Sequence, residues 1–214
     1  PQDGASVLAH MQALEQFIND EAACDLDPII KMALIHHQFE SIHPFSDGNG
    51  RIGRILCVLY LVQTGLLDTP ILYLSRYINR HKSDYYQLLQ AVRDEAPNTA
   101  AWQAWVKFML RAVADTAQRT VRLVGGMREL MAQTKHRMRT ELPRLYSQDR
   151  LNNLFRHPYP RIEFVQHDLG VARQTAARYL RQLAQANLVK EHSRGKHVYF
   201  INVPLVQLLV QEEQ

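Results

Sequence analysis

The sequence predicts a mainly α protein in two parts: a larger helical domain, then a small domain of helices ending in a β-hairpin. Three observations predict it. Apolar residues recur at helical spacing over most of the stretch from Ser6 to Met138. Pro143 marks a change of pattern, after which short helical segments are separated by turns. Val189 to Ile201 then alternates as a two-stranded hairpin does, around Ser193-Arg194-Gly195-Lys196. The expected division is 1–118 for the first domain, 119–141 for a linking helix and 142–214 for the second domain.

With 214 residues, 46% of them hydrophobic, the chain can bury one or two cores. Cys24 and Cys57 lie in apolar helical contexts without metal-ligand spacing, so no disulfide framework is indicated and a reducing cytoplasm is the default expectation. The longest apolar run, Ile55 to Val62, is too short to cross a bilayer, and no secretory pattern opens the chain, which argues against a membrane partner. The chain starts at Pro1 rather than methionine, which suggests a fragment or a processed product.

In order, Val7, Leu8, Met11, Leu14 and Ile18 predict a packed helix from about Ser6 to Phe17. Asp27-Pro28 is a cap followed by a first-turn proline, opening a helix to Ile42 that is apolar on more than one side and therefore central. His36 and His37 lie on it. Adjacent helical residues diverge by about 100°, so the two cannot chelate as an i, i+4 pair can, and they are expected as core or supporting residues. Arg51 to Thr64 predicts a second helix through Ile52, Ile55, Leu56, Leu59 and Val62, closed by Gly65. Pro70 to Ile78 reads as a short helix and His81 to Asp94 as an amphipathic one. Thr99 to about Met138 reads as a long helix that Gly125-Gly126 should kink or break.

Chemistry concentrates between His43 and Arg54, His-Pro-Phe-Ser-Asp-Gly-Asn-Gly-Arg-Ile-Gly-Arg. Gly48-Asn49-Gly50 can turn successive N–H groups inward just before a helix, whose N-terminus adds positive partial charge. Arg51 and Arg54 are three apart and can reach one anion with planar forks. Asp47 suits a Mg²⁺ ion lying between it and phosphates. His43, thrown out of the preceding helix by Pro44, is placed to take a proton from a hydroxyl, an effect worth ~10²–10⁴-fold. Each feature alone is ordinary helix–loop–helix punctuation. Together they make a base, a metal ligand and a phosphate cradle in twelve residues.

This stretch resembles the HPFx(D/E)GNGRxxR signature of the Fic family at every defined position. The resemblance implies a Fic-type helical domain that transfers AMP from ATP to a Tyr, Thr or Ser hydroxyl of a target protein or of itself, releasing pyrophosphate. It implies that His43 is the base, that Asp47 holds Mg²⁺, and that Asp47, Gly48, Asn49, Gly50, Arg51, Ile52, Gly53 and Arg54 line the ATP. Arg54 would take the terminal phosphate. Tyr85 and Tyr86 are carried over as residues bordering the base, although an aromatic pair at helical spacing is more often core.

The tail differs in charge. Leu142 to Val203 holds ten Lys/Arg against four Asp/Glu, whereas the remainder holds fifteen against seventeen. Helices over Gln148–Arg156, Arg161–Asp168 and Arg173–Ala186, with the turn Leu169-Gly170-Val171 and a basic hairpin, resemble a winged helix-turn-helix domain. That resemblance implies DNA contact through Arg173, Gln174, Thr175, Arg178, Arg181, Arg194 and Lys196. The competing reading is a protein-interaction module, for example one that forms a homodimer.

Alternatives to the transferase are a nucleotide-sensing, DNA-binding regulator, an enzyme that removes AMP, and one that transfers another nucleotide. The (S/T)xxxE(G/N) inhibitory motif and the target-binding flap of the family are not identifiable in this chain.

Overall fold

The computed structural model of the protein describes residues 3–20, 25–94, 99–194 and 197–211. Cys24, Gly195 and Lys196 lie outside the described residues, as does the side chain of Arg194. The chain divides into two compact units, Pro1–Thr120 and Val121–Gln214.

The first unit holds α1 (Gly4–Asn19), α2 (Pro28–Ile42), α3 (Asn49–Gln63), α4 (Leu74–Arg80), α5 (Lys82–Asp94) and the beginning of α6 (Thr99–Glu141). Asp27 caps α2 through a 2.8 Å bond from the Ile29 N–H, with Pro28 in the first turn. The core gathers around α2. Met32, Ala33, Ile35 and Phe39 pack with Cys57, Tyr60 and Leu61 of α3, Leu74 and Ile78 of α4, Tyr85 and Leu89 of α5, and Trp105 and Met109 of α6. The Trp105 indole N–H donates to the Ala33 carbonyl at 2.8 Å, which satisfies the polar end of a fully buried ring.

Buried Lys31 reaches the carbonyls of Ile18 and Asp20 at 3.3 and 3.1 Å, so its ammonium closes the C-terminal end of α1.

Three expectations are corrected in this unit. The apolar face of α3 is not wholly inward: Ile55 and Leu59 are 58% and 53% exposed, because α3 meets α2 along Gly53, Cys57 and Leu61 instead. Leu8 likewise faces solvent, leaving Leu14 as the one fully buried side chain of α1 among the described residues. The helix expected from Pro70 begins only at Leu74, since residues 71–73 run without helical bonds.

The second unit holds the remainder of α6, α7 (Gln148–Arg156), α8 (Ile162–Leu169), α9 (Arg173–Gln185), β1 (Lys190–Arg194), β2 (His197–Ile201) and α10 (Val203–Gln211). Ser147 caps α7, and Gly170, at φ +61°, ends α8 in the left-handed conformation. The strands pair antiparallel with Lys190 opposite Ile201 and Arg194 opposite His197. Leu151, Leu154, Val165, Ala176, Leu180, Phe200 and Leu205 form the core, together with Met138 of α6.

The expected interruption at Gly125-Gly126 is absent, for α6 runs unbroken from Thr99 to Glu141. A Cβ on Gly126 would lie 2.8 Å from Leu208 Cδ1, so this glycine admits a side chain of α10 rather than bending the helix. Helix α10 itself was not expected. Asn202 opens it by accepting from the Leu205 N–H at 3.3 Å.

Among the described residues, no helix is long and apolar enough to cross a membrane.

Candidate active site

The loop between α2 and α3 is built from both ends. His43 ends α2 at φ +53°, ψ +57°, its N–H still bonded to the Phe39 carbonyl. The left-handed turn at His43, followed by Pro44, throws the chain off the helix and leaves the histidine exposed. At the other end Gly48, at φ +84°, starts α3 with no side-chain cap. The N–H groups of an uncapped first turn are offered to an anion.

Between these ends the buried Asn49 side chain spans the loop. Its Oδ1 accepts from the Phe45 N–H at 2.9 Å and its Nδ2 donates to the Phe45 carbonyl at 2.6 Å. Asn49 therefore shapes the loop with its side chain, and only its backbone can face a ligand. Asp47 is exposed. It accepts the Gly48 N–H at 2.7 Å and lies 3.5 Å from Arg51, an exposed ion pair that a competing ligand displaces at little cost.

Arg54 is half-buried and donates from Nε to Ser75 Oγ at 2.8 Å. Together with Arg51, Ile55, Leu59, Tyr73 and Asn79 it lines a cleft of about 520 Å³. A second depression of about 730 Å³ adjoins His43, Pro44 and Phe45. The loop thus has a basic cleft on one flank and an exposed imidazole on the other.

The floor of the site lies on α2 and α5. The guanidinium of Arg93 donates to the Glu40 carbonyl at 2.7 Å and to Ser41 Oγ at 3.2 Å, closing the end of α2 that carries His43. His36 stacks on Trp105 at 6.0 Å and is hydrogen-bonded to the Tyr85 hydroxyl at 3.0 Å. Burial pulls its pKa down to about 4, so the ring is neutral. Burial also lowers His37, which sits edge-on to Trp102. Glu40 is pushed upward by burial against the attraction of His43, Arg54 and Arg93.

Two residues expected to line the nucleotide face elsewhere. Gly53 is buried against α2, where a Cβ would lie 3.0 Å from Glu40 Oε1 and 3.1 Å from the His36 ring. Tyr85 is a core side chain whose hydroxyl is engaged by His36. Ile52 and Tyr86 remain partly open to solvent, Tyr86 at 56%. Sequence reasoning missed Glu40, Ser75 and Arg93, whose roles depend on packing between helices.

In the second unit, Arg173 pairs with Glu163 at 3.5 Å. Gln174, Arg178 and Arg181 are exposed on α9, while Thr175 is half-buried.

An exposed histidine, the uncapped start of α3 and two arginines on its first turns lie close together along the chain. Residues 1–61 match the Fic/DOC family model. Residues 130–205 match the model described as "Protein adenylyltransferase SoFic-like, C-terminal domain". Two separate stretches of the chain are thus similar to a Fic/DOC family domain and to a SoFic-like C-terminal domain.

Similar proteins include Protein adenylyltransferase fic-1 of Caenorhabditis elegans, 36% identical over 59 residues, which are 28% of this chain and 12% of that protein. A probable protein adenylyltransferase of Aquifex aeolicus is 46% identical over 54 residues, 25% of this chain and 17% of the relative. Protein adenylyltransferase Fic of Drosophila grimshawi is 29% identical over 113 residues, 53% of this chain and 20% of the relative. The matches span a fifth or less of these relatives' own length. A solved Fic family protein from Desulfovibrio desulfuricans superposes with a TM-score of 0.48 at 22% identity, over 92% of this chain and 55% of that one.

Proposed function

We propose that the protein is an adenylyltransferase that moves AMP from ATP to a Tyr, Thr or Ser hydroxyl of a target protein or of itself. What carries the reading is one juxtaposition: exposed His43 and the Arg51–Arg54 pair bracket the uncapped start of α3. The similar proteins, each named a protein adenylyltransferase, support it.

His43 takes the proton of the incoming hydroxyl as its oxygen forms a bond to the α-phosphorus, and the bond from that phosphorus to the β-phosphate bridge breaks to release pyrophosphate. The first-turn amides of α3 and the Arg51 guanidinium bind phosphate oxygens, and Arg54 holds the departing end. Catalysis of this kind asks mainly for positioning and charge neutralisation.

Asp47 would hold Mg²⁺, which neutralises phosphate charge when bound. A single exposed carboxylate beside phosphate-binding amides suits that ion, which takes one or two carboxylates and completes its shell with phosphates and water. Among the described residues, no group of three or more His, Cys, Asp or Glu forms a metal cage.

The test is transfer of label from α-labelled ATP into the chain itself or into proteins of a cell extract. His43→Ala should lower transfer by ~10²–10⁴-fold while ATP still binds. Equal labelling by the variant would remove His43 from the chemistry. Competition by unlabelled GTP, UTP and CTP reads nucleotide preference.

The exposed Gln174, Arg178 and Arg181 on α9 favour a second role, contact with duplex DNA. Retention of plain duplex DNA that weakens steeply with salt would support it, and no retention at low salt would refute it.

A further inference from the structure

Glu40 lies one turn before His43 on α2, and the chemistry proposed above makes no use of it. It is 6% exposed, and its Oε1 has no hydrogen-bond partner. A buried carboxylate oxygen without a donor is costly, so its presence calls for an electrostatic reason. The geometry supplies one. The point that a Gly50 Cβ would occupy is 3.6 Å from Glu40 Oε1 and 3.1 Å from Arg54 Nη1. The corresponding point at Gly53 is 3.0 Å from the same carboxylate oxygen. The two glycines thus leave bare backbone between a buried carboxylate and the guanidinium of the motif's last arginine. Ser75 Oγ holds that guanidinium at its Nε, 2.8 Å away.

The titratable and charged groups around Glu40 are His36 and His43 on α2, Arg54 and Cys57 on α3, and Tyr85 and Arg93 on α5. His43, Arg54 and Arg93 attract its charge, and Arg93 also binds its backbone carbonyl. We propose that Glu40 is a positioning residue: its buried carboxylate and the Ser75 hydroxyl together aim the Arg54 guanidinium at the terminal phosphates of a nucleoside triphosphate. The inference rests on the nucleotide reading of the loop and adds the device that orients one of its arms.

A double-mutant cycle tests it, with wild type, Glu40→Gln, Arg54→Ala and the double variant compared for Mg-ATP affinity by equilibrium dialysis and for kcat and KM of transfer. Glu40→Gln keeps the shape and removes the charge. It should weaken ATP binding about tenfold, with a loss under about twofold once Arg54 is gone, since residues that act through one another are non-additive. A purely structural role would instead give the same loss in both backgrounds. The proposal is overturned if Glu40→Gln binds ATP within twofold of wild type, or if its loss is unchanged without Arg54. Should Glu40→Gln not fold, Glu40→Asp carries the same cycle, with a smaller loss that again vanishes without Arg54. ATP binding that obeys the cycle without any transfer would uphold this inference and overturn the transferase.

Discussion

Acidification should destabilise the first unit through His36. The ring is fully buried, and its pKa falls from 6.5 to about 4 on folding. Between those values the unfolded chain binds the proton and the folded chain does not, so stability rises with pH across that window and is lost as pH falls through it. Linkage gives a loss of about 2 kcal/mol from His36 alone between pH 7 and pH 5. His37, also lowered by burial, acts in the same direction. Glu40, raised by burial, acts in the opposite one. Both contributions are common to wild type and a His36→Gln variant, so the difference between the two isolates His36. Urea unfolding followed by tryptophan fluorescence is the assay. The chain has two tryptophans, Trp102 and Trp105, and they pack against His37 and His36, so the signal reports this unit. Wild type should lose about 2 kcal/mol more than His36→Gln on going from pH 7 to pH 5. Parallel losses in the two proteins would refute the buried neutral imidazole.

Asn49→Ala should cost about 2 kcal/mol, since it removes both bonds to the Phe45 backbone, and should weaken ATP binding by loosening the loop; urea unfolding and equilibrium dialysis read the two effects. Gly53→Ala should destabilise by about 1 kcal/mol, because crowding of ~1–3 kcal/mol against His36 and Glu40 outweighs the ~1 kcal/mol gained in helix propensity. Gly125→Ala is the contrast. Nothing lies within 4 Å of its Cβ position, so the variant should be more stable by up to ~1 kcal/mol in thermal melts.

Much of this was legible because local chemistry decides it. Asp27-Pro28 starts α2 and Ser147 caps α7 wherever the rest of the chain goes, and the alternation after Val189 becomes β1 and β2. The motif loop was legible as a set of residue types. The inner partners were not, because Glu40, Ser75 and Arg93 matter only once α2, α3, α4 and α5 meet. The same reason explains Ile55 and Leu59: helical spacing identifies an apolar stripe, but the glycine at 53 draws the close contact to a different face of α3. Tyr85 and Tyr86 are neighbours in sequence and opposite in environment, as successive helical positions must be. Helix α10 has a signal in Asn202 and Pro204 followed by Leu205, Leu208 and Leu209, a short run that the alternation of the adjoining hairpin masks.

The three glycines of the loop region divide their labour by direction. Gly48 turns the chain, Gly50 clears the way between two charges, and Gly53 seats α3 on a histidine and a glutamate. Anyone redesigning this protein to accept a different donor molecule accordingly has freedom at the outward side chains of Ile52 and Ile55. The inward positions behave as a keel: altering them would shift the helix itself, and every group mounted on it would move together.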